Sequence, residues 1–357
     1  MKLRRQEWYF VLGFFNFRIM FEVKCKNMDE KSIGFVGLLK GKNVLFITTK
    51  NIDYIRNTQE LRLLSENAKS VEILSSSKKK YIGRIIEIWC KLLFMSLREI
   101  DSVFIGFAPQ LILPFYKWKM RNKEIIIDFF ISVYDTLIHD RKKFKDNGIL
   151  AKVCHGIDSI TLKWAKHVIT DTKADARYFI EEFQSDESKF ETLYLEADKT
   201  MYYPREQHKR EELKDKFVVL YFGSILPLQG VDVVLDAVKL LKDEKDVYFQ
   251  IIGPIPEKYS KPIQDNVEYM DWLSQEELAE HIANADLCLA GHFSGDIDKA
   301  KRTIPGKAYI YAAMRKKMVL GDNEANHELH HENDPNIRFV EMGNEENLVK
   351  IILECIL

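Results

Sequence analysis

Cysteine, proline and glycine are all scarce. Five cysteines, nine prolines and sixteen glycines are spread over 357 residues, which excludes collagen-like and low-complexity chains. Cys25, Cys90, Cys154, Cys288 and Cys355 lie far apart and form no C-x-x-C pair, so neither a disulfide framework nor a Cys-type zinc site is written here. Reduced thiols in a cytoplasmic protein are what this spacing implies. No sign of charge dominates: 53 Lys and Arg stand against 54 Asp and Glu, a net charge of −1, which argues against a nucleic-acid binder. Long apolar runs are missing too. Trp8 to Val23 is apolar behind Lys2, Arg4 and Arg5, like the start of a signal peptide. Arg18 and Glu22 interrupt it, no small-x-small cleavage site follows, and it is shorter than the ~20 apolar residues a spanning helix needs. Residues 1–41 read as an N-terminal extension, interfacial or disordered. The dinucleotide G-x-G-x-x-G, the P-loop and the G-x-S-x-G elbow are all absent, and dehydrogenase, P-loop and α/β-hydrolase readings lack their signatures.

What is present is the composition of a folded protein, 46% hydrophobic, 12% aromatic and 30% charged. The length suits two domains at roughly 100–200 residues each. Continuous apolar runs at Asn43–Thr48, Val71–Leu74, Ser102–Phe107 and Ile125–Asp128 predict strands buried on both faces. Val168–Asp171 and Thr192–Leu195 are further candidates. Helical patterns at Gln59–Asn67, Tyr81–Arg98 and Gly148–Lys166 alternate with them, the signature of a parallel sheet with crossovers. After Tyr202-Tyr203-Pro204 the pattern restarts, with strands expected at Phe217–Phe222, Tyr248–Ile252, Val267–Met270, Leu287–Ala290 and Met318–Leu320. A first domain over 42–203 and a second over 204–357 follow, and in such folds ligands bind at the carboxyl ends of the strands.

Three segments of the second half then carry a resemblance. Phe222-Gly223-Ser224-Ile225-Leu226-Pro227-Leu228-Gln229-Gly230-Val231 is a strand ending in Gly, a short loop ending in Gly, and an opening helix. G-H-F-S-x-x-x-x-K-A-K-R-T-I-P-G-K runs from Gly291 to Lys307, and Gly321-Asp322-Asn323-Glu324-Ala325-Asn326-His327-Glu328-Leu329 completes the set. In this order they resemble the family 4 retaining glycosyltransferases of the GT-B fold, of the bacterial capsule, exopolysaccharide and O-antigen type, over about residues 42–350. Asp128 to Thr136, with Asp140-Arg141, looks like the acceptor-side segment of the same group. The chain ends at Leu357, short of the final helices with which members often cross back to the first domain. The resemblance implies two Rossmann-like, doubly wound parallel-sheet domains facing a cleft, the first on the acceptor side and the second binding the donor. It implies transfer of a sugar from a UDP- or GDP-sugar to a saccharide or polyprenyl-linked acceptor, with retention, and with no metal or other cofactor.

The chemistry needs a diphosphate held and its developing charge stabilised. Gly223 lets backbone approach a phosphate, and the helix beginning near Gly230 offers free N–H groups, while the resemblance places the nucleobase against the Gly253 strand end and the Met270–Leu273 loop. A second helix opens at Pro305, and Lys299, Lys301, Arg302 and Lys307 crowd that start. Ser224 and Asn326 complete the donor-side candidates, with Glu328 for the ribose hydroxyls. Lys307 is the foremost phosphate contact. Asp128, His139, Asp135, Asp140 and Arg141 could orient the acceptor, with Asp128 and His139 the catalytic candidates beside Lys307.

Ser224 and Gln229 stand where relatives carry Arg and Lys, and Ile310 where they carry Glu. A catalytically weak relative, kept as a binding or scaffolding partner, is therefore the rival reading. His327-Glu328-Leu329-His330-His331 satisfies H-E-x-x-H, the zinc hydrolase motif, and Asp296-Ile297-Asp298 mimics a D-x-D metal site. Both read as incidental. Residues 1–180 hold 32 Lys and Arg against 19 Asp and Glu. Lys78-Lys79-Lys80 with the helix after it, and Leu111 to Arg121, mix aromatics with cations as peripheral membrane surfaces do. A cytoplasmic protein peripheral to the inner face of an anionic membrane is expected.

Overall fold

The computed structural model describes residues 34–356, apart from 142 and 225. The apolar stretch from Trp8 to Val23, and Cys25, lie outside the described residues. The end of the expected extension does not: Gly34–Leu39 is a helix that buries Phe35 and Leu39 against the first sheet. Glu191 caps it, accepting from the Gly34 and Phe35 amides.

The first sheet contains β1 (Asn43–Thr48), β2 (Ser70–Leu74), β3 (Ser102–Phe107), β4 (Glu124–Asp128), β5 (His167–Thr170) and β6 (Phe190–Thr192). They lie in the order β2-β1-β3-β4-β5-β6, all parallel. The second contains β7 (Phe217–Phe222), β8 (Val247–Ile252), β9 (Val267–Met270), β10 (Leu287–Gly291), β11 (Met318–Gly321) and β12 (Ile337–Val340). Its order is β12-β11-β10-β7-β8-β9, also parallel throughout. Strand order reverses between β1 and β3 and between β7 and β10, the switch points where open sheets take ligands. These are the two doubly wound parallel sheets that the apolar runs and their alternation imply.

Three elements depart from expectation. The strand expected at 192–195 starts two residues earlier as β6, because Val168 registers with Phe190 on a half-buried edge with a weak apolar signal. The strand β12 was not foreseen: it is a short edge strand with Arg338 exposed. The helix expected at Tyr81–Arg98 ends at Phe94, where extended Met95 caps it by donating its backbone N–H to the Lys91 carbonyl.

Each sheet is covered on both faces by apolar clusters. The helix Lys173–Phe183 bridges them, placing Phe179 and Phe183 in a core of the first sheet and Ala174 in a core of the second. Tyr202, at the junction, packs with the second. Among the described residues no helix is long and apolar enough to cross a membrane.

Candidate functional site

Glycine ends every central strand of the second sheet. Gly223 follows β7, Gly253 follows β8, Gly291 closes β10 and Gly321 closes β11. The sheet thus presents bare backbone at its carboxyl end. The spacing is needed structurally at Gly253, with φ 118°, where a Cβ would overlap the Gly223 carbonyl. It is needed again at Gly230, with φ 62°, where a Cβ would strike the Phe293–Ser294 backbone. Gly230 opens the helix Val231–Leu240 without a side-chain cap.

Lys307 lies over this floor. It sits in the first turn of the helix Gly306–Ala313, whose N-cap is Pro305, and only 5% of it is exposed. Its Nζ donates to Gln229 Oε1 at 2.8 Å and rests 3.9 Å from the centre of the Tyr221 ring. A Cβ at Gly223 would come within 3.3 Å of that nitrogen and one at Gly291 within 3.4 Å. No carboxylate pairs with Lys307 among the described residues. Burial pushes its pKa well below the usual lysine range. An ammonium buried without a counter-charge, walled by glycine backbone, is a ready anion site.

The other expected cations are spent elsewhere. In the short helix Asp298–Arg302, positions 299 and 302 share a face three residues apart, and that face meets the first domain. Arg302 pairs with Asp135 at 3.0 Å and Asp175 at 2.7 Å and stacks 3.5 Å from the Tyr178 ring centre. Lys299 lies 4.0 Å from Asp135. Lys301 turns outward to Asp298, and Ser224 is exposed. The expected crowd of four cations at the phosphate floor therefore reduces to Lys307.

Glu328 is likewise committed. It caps the helix Lys173–Phe183, accepting from the Lys173 amide at 2.9 Å and the Ala174 amide at 2.7 Å, and from the Tyr194 hydroxyl at 2.7 Å. A carboxylate on a helix N-terminus is well placed by the dipole, so it holds the domains together and is not free for ribose hydroxyls. Asn326, fully buried, donates to the Gly321 carbonyl at 2.8 Å and so shapes the β11 loop.

On the acceptor side Asp128 is not a free cleft acid. It is 1% exposed and takes a two-pronged pair from Arg56, at 2.7 and 3.1 Å. Arg56 also binds the Leu193 carbonyl, and Glu60 is fully enclosed beside it. Burial and then Asp128 push the Glu60 carboxyl well up. Just past β5, Asp171 is raised to about 6 by burial, against the pull of Arg56 and Lys299. His139, half-buried, stands edge-on to Tyr134 at 5.0 Å. Arg141 is exposed. Arg56, Glu60, Asp175 and Tyr221 carried no motif signal. Only their positions at strand ends, or one helical turn apart, could have marked them.

The zinc reading fails on geometry. The motif needs two histidines on one helical face, but the helix is only Glu324–His327. His327 pairs with Asp322 and stacks on Phe339, and no metal-competent cluster occurs among the described residues. Asp296 is exposed and Asp298 serves Lys301, so the D-x-D is a polar loop.

The family model described as glycosyl transferases group 1 matches residues 204–293, the segment carrying Gly223, Gly230, Gly253 and Gly291. The chain is 27% identical over 240 residues to a chitobiosyldiphosphodolichol beta-mannosyltransferase of Kluyveromyces lactis, covering 57% of this chain and 53% of the relative. It therefore spans about half the length of that curated relative. Among solved structures, Anabaena HepE bound to UDP-glucose superposes with a TM-score of 0.59 at 14% identity, over 88% of this chain and 90% of its own. The lipopolysaccharide glycosyltransferase WaaG gives 0.58 at 15%, over 87% and 90%. The superpositions show the GT-B fold, while the family model and the curated relative are both described as sugar transferases.

Proposed function

We propose that this chain transfers a sugar from a nucleoside-diphosphate sugar to a surface polysaccharide or its lipid-linked precursor. The observation that carries this is Lys307, an uncompensated buried cation over a glycine floor at the switch point of the second sheet. The diphosphate lies along Gly223, Gly253 and Gly291, with Lys307 and the N–H groups opening the helices at Gly230 and Pro305 holding its charge. As the bond from the anomeric carbon to the phosphate oxygen breaks, Lys307 stabilises the leaving diphosphate. The acceptor oxygen forms the new bond to that carbon, and its proton passes to the leaving phosphate. No metal or other cofactor is required by this scheme. On the acceptor side, Asp128 is held by Arg56 at the end of β4, and His139 and Asp140 follow in the next segment. Cytoplasmic UDP- and GDP-sugars are the donors expected, and retention the stereochemistry.

HepE is described in complex with UDP and with UDP-glucose, and the yeast relative's name places its acceptor on a dolichol diphosphate. Both favour a nucleotide sugar on one side and a lipid-linked saccharide on the other. A face of the first domain supports the latter. Helices Tyr81–Phe94 and Leu113–Met120 pack through Trp89 and Phe115, 4.7 Å apart, and expose Ile82, Ile86, Phe94 and Trp118 beside lysines. Such a mixed surface suits an anionic membrane interface.

A thermal-shift panel of UDP, GDP and other nucleoside diphosphates tests the donor site, since a bound ligand stabilises the fold by mass action. Lys307→Ala should abolish the shift. No shift with any nucleotide would favour a scaffold, the reading that Ile310 and the diverted Lys299 and Arg302 support. Proton NMR of the product's anomeric centre against the donor's decides between retention and inversion.

A further inference from the structure

Gln229 occupies the position where the resembled enzymes carry a second cation, yet its side chain does not face outward. Its Oε1 accepts from Lys307 Nζ at 2.8 Å and from the Tyr221 hydroxyl at 3.0 Å. Its carbonyl accepts from the Phe293 amide at 3.3 Å, which ties the loop before Gly230 to the loop after β10. The residue that follows, Gly230, is left-handed and leaves no room for a Cβ, so the backbone at 229 is held. Lys307 is thereby clamped between an amide oxygen and an aromatic face, both of which favour the ammonium form.

We infer that Gln229 is a positioning residue: through its amide oxygen it fixes Lys307 over the glycine floor and keeps it protonated, in place of contributing a cation of its own. This rests on the reading of the floor as a donor site. A lysine at 229 would set two ammonium groups within hydrogen-bond distance, with no carboxylate to separate them. A neutral acceptor is what a single buried cation needs. The other titratable groups near Lys307 are Tyr221 on β7 and His292 after β10. Burial holds His292 neutral, at about 3, and raises the Tyr221 phenol. Neither changes charge between pH 6 and 10. Asp232 acts on this cluster through Tyr221.

The test uses the full chain as wild type, Gln229→Met, Gln229→Glu and Lys307→Met, with UDP and GDP as probes between pH 6 and 10. Loss of a hydrogen bond to a charged group should weaken nucleotide binding about tenfold in Gln229→Met at pH 8. It should also move the pH at which binding fails downward, since Lys307 then loses its proton sooner. Gln229→Glu should move that pH upward, because a carboxylate favours the ammonium. A uniform loss at every pH, or an unchanged midpoint in both variants, would overturn the proposal. Competitive acetylation of Lys307, read by peptide mass spectrometry, gives its titration without any nucleotide. A lower pKa in Gln229→Met supports the positioning role even if no nucleotide binds, and an unchanged pKa sinks it. Wild-type nucleotide binding by Lys307→Met would refute the donor reading instead.

Discussion

Arg302 Nη1 lies 2.7 Å from Asp175 Oδ1 across the seam between the two sheets. The same guanidinium reaches Asp135 at 3.0 Å, and Thr172 donates to the Arg302 carbonyl at 2.5 Å. Asp175 is fully buried and Asp135 nearly so, and each keeps one oxygen without a hydrogen-bond partner. The seam is thus held by one guanidinium shared between two buried acids, with Lys299 4.0 Å from Asp135 as a second partner.

Removing that cation strands Asp175 and leaves Asp135 only Lys299 at 4.0 Å. Arg302→Ala should destabilise the protein by about 3–5 kcal/mol, the usual cost of breaking a buried pair by deleting one partner. Lys301→Ala, one residue earlier in the same helix but exposed and paired with Asp298, should change stability by less than about 1 kcal/mol. Urea denaturation of the two variants side by side checks the contrast, and equal losses would show the seam to be solvated.

The glycine floor makes an opposed pair of predictions. Gly253→Ala forces a side chain into φ 118° and against the Gly223 carbonyl. It should cost at least about 1–3 kcal/mol and erase any thermal shift by UDP or GDP. Gly156, exposed within the helix Ile149–Trp164 with nothing near a new Cβ, should gain about 0.5–1 kcal/mol on substitution by alanine. Thermal melts with and without nucleotide read both outcomes.

The strands were legible because parallel strands buried on both faces write continuous apolar runs, as at Asn43–Thr48 and Phe217–Phe222. The glycines were legible because their need is local: a strand end, a tight loop, a helix start. The destinations of Arg302, Lys299 and Glu328 were not. Each faces a residue about 125 to 165 positions earlier in the chain, and no spacing within one segment encodes which charge a distant helix will present. Asp128 misled for the same reason. Its strand-end position is right, but Arg56, 72 residues before it, claims both oxygens.

Asp171 sets a pH dependence. Burial raises it to about 6 from an ordinary value near 3.8, so between those values the folded chain binds more proton than the unfolded one. Stability from this group therefore falls as pH rises from about 4 to about 6 and is level above that. Asp171→Asn removes the penalty. The variant should be more stable than wild type at pH 7.5 and lose that advantage by pH 4, measured by denaturation midpoints at both pH values. A constant difference across the range would mean that Asp171 does not titrate where its burial demands.

The apolar face of the first domain tests the proposed work at a membrane. Phe94 is 84% and Trp118 63% exposed, which gains nothing in water, so Phe94→Ser and Trp118→Ser should leave the melting temperature within a degree or two. Burying an aromatic side chain at an interface is worth about 1.5–3 kcal/mol, so each change should weaken binding to anionic phosphatidylglycerol vesicles about tenfold or more. Salt should weaken it further through the neighbouring lysines, by screening their attraction to the headgroups. Vesicle co-sedimentation at low and high ionic strength separates the two contributions. A melting temperature lowered by many degrees would instead mean that protein, not lipid, covers Phe94 and Trp118, and the membrane reading would fall with it.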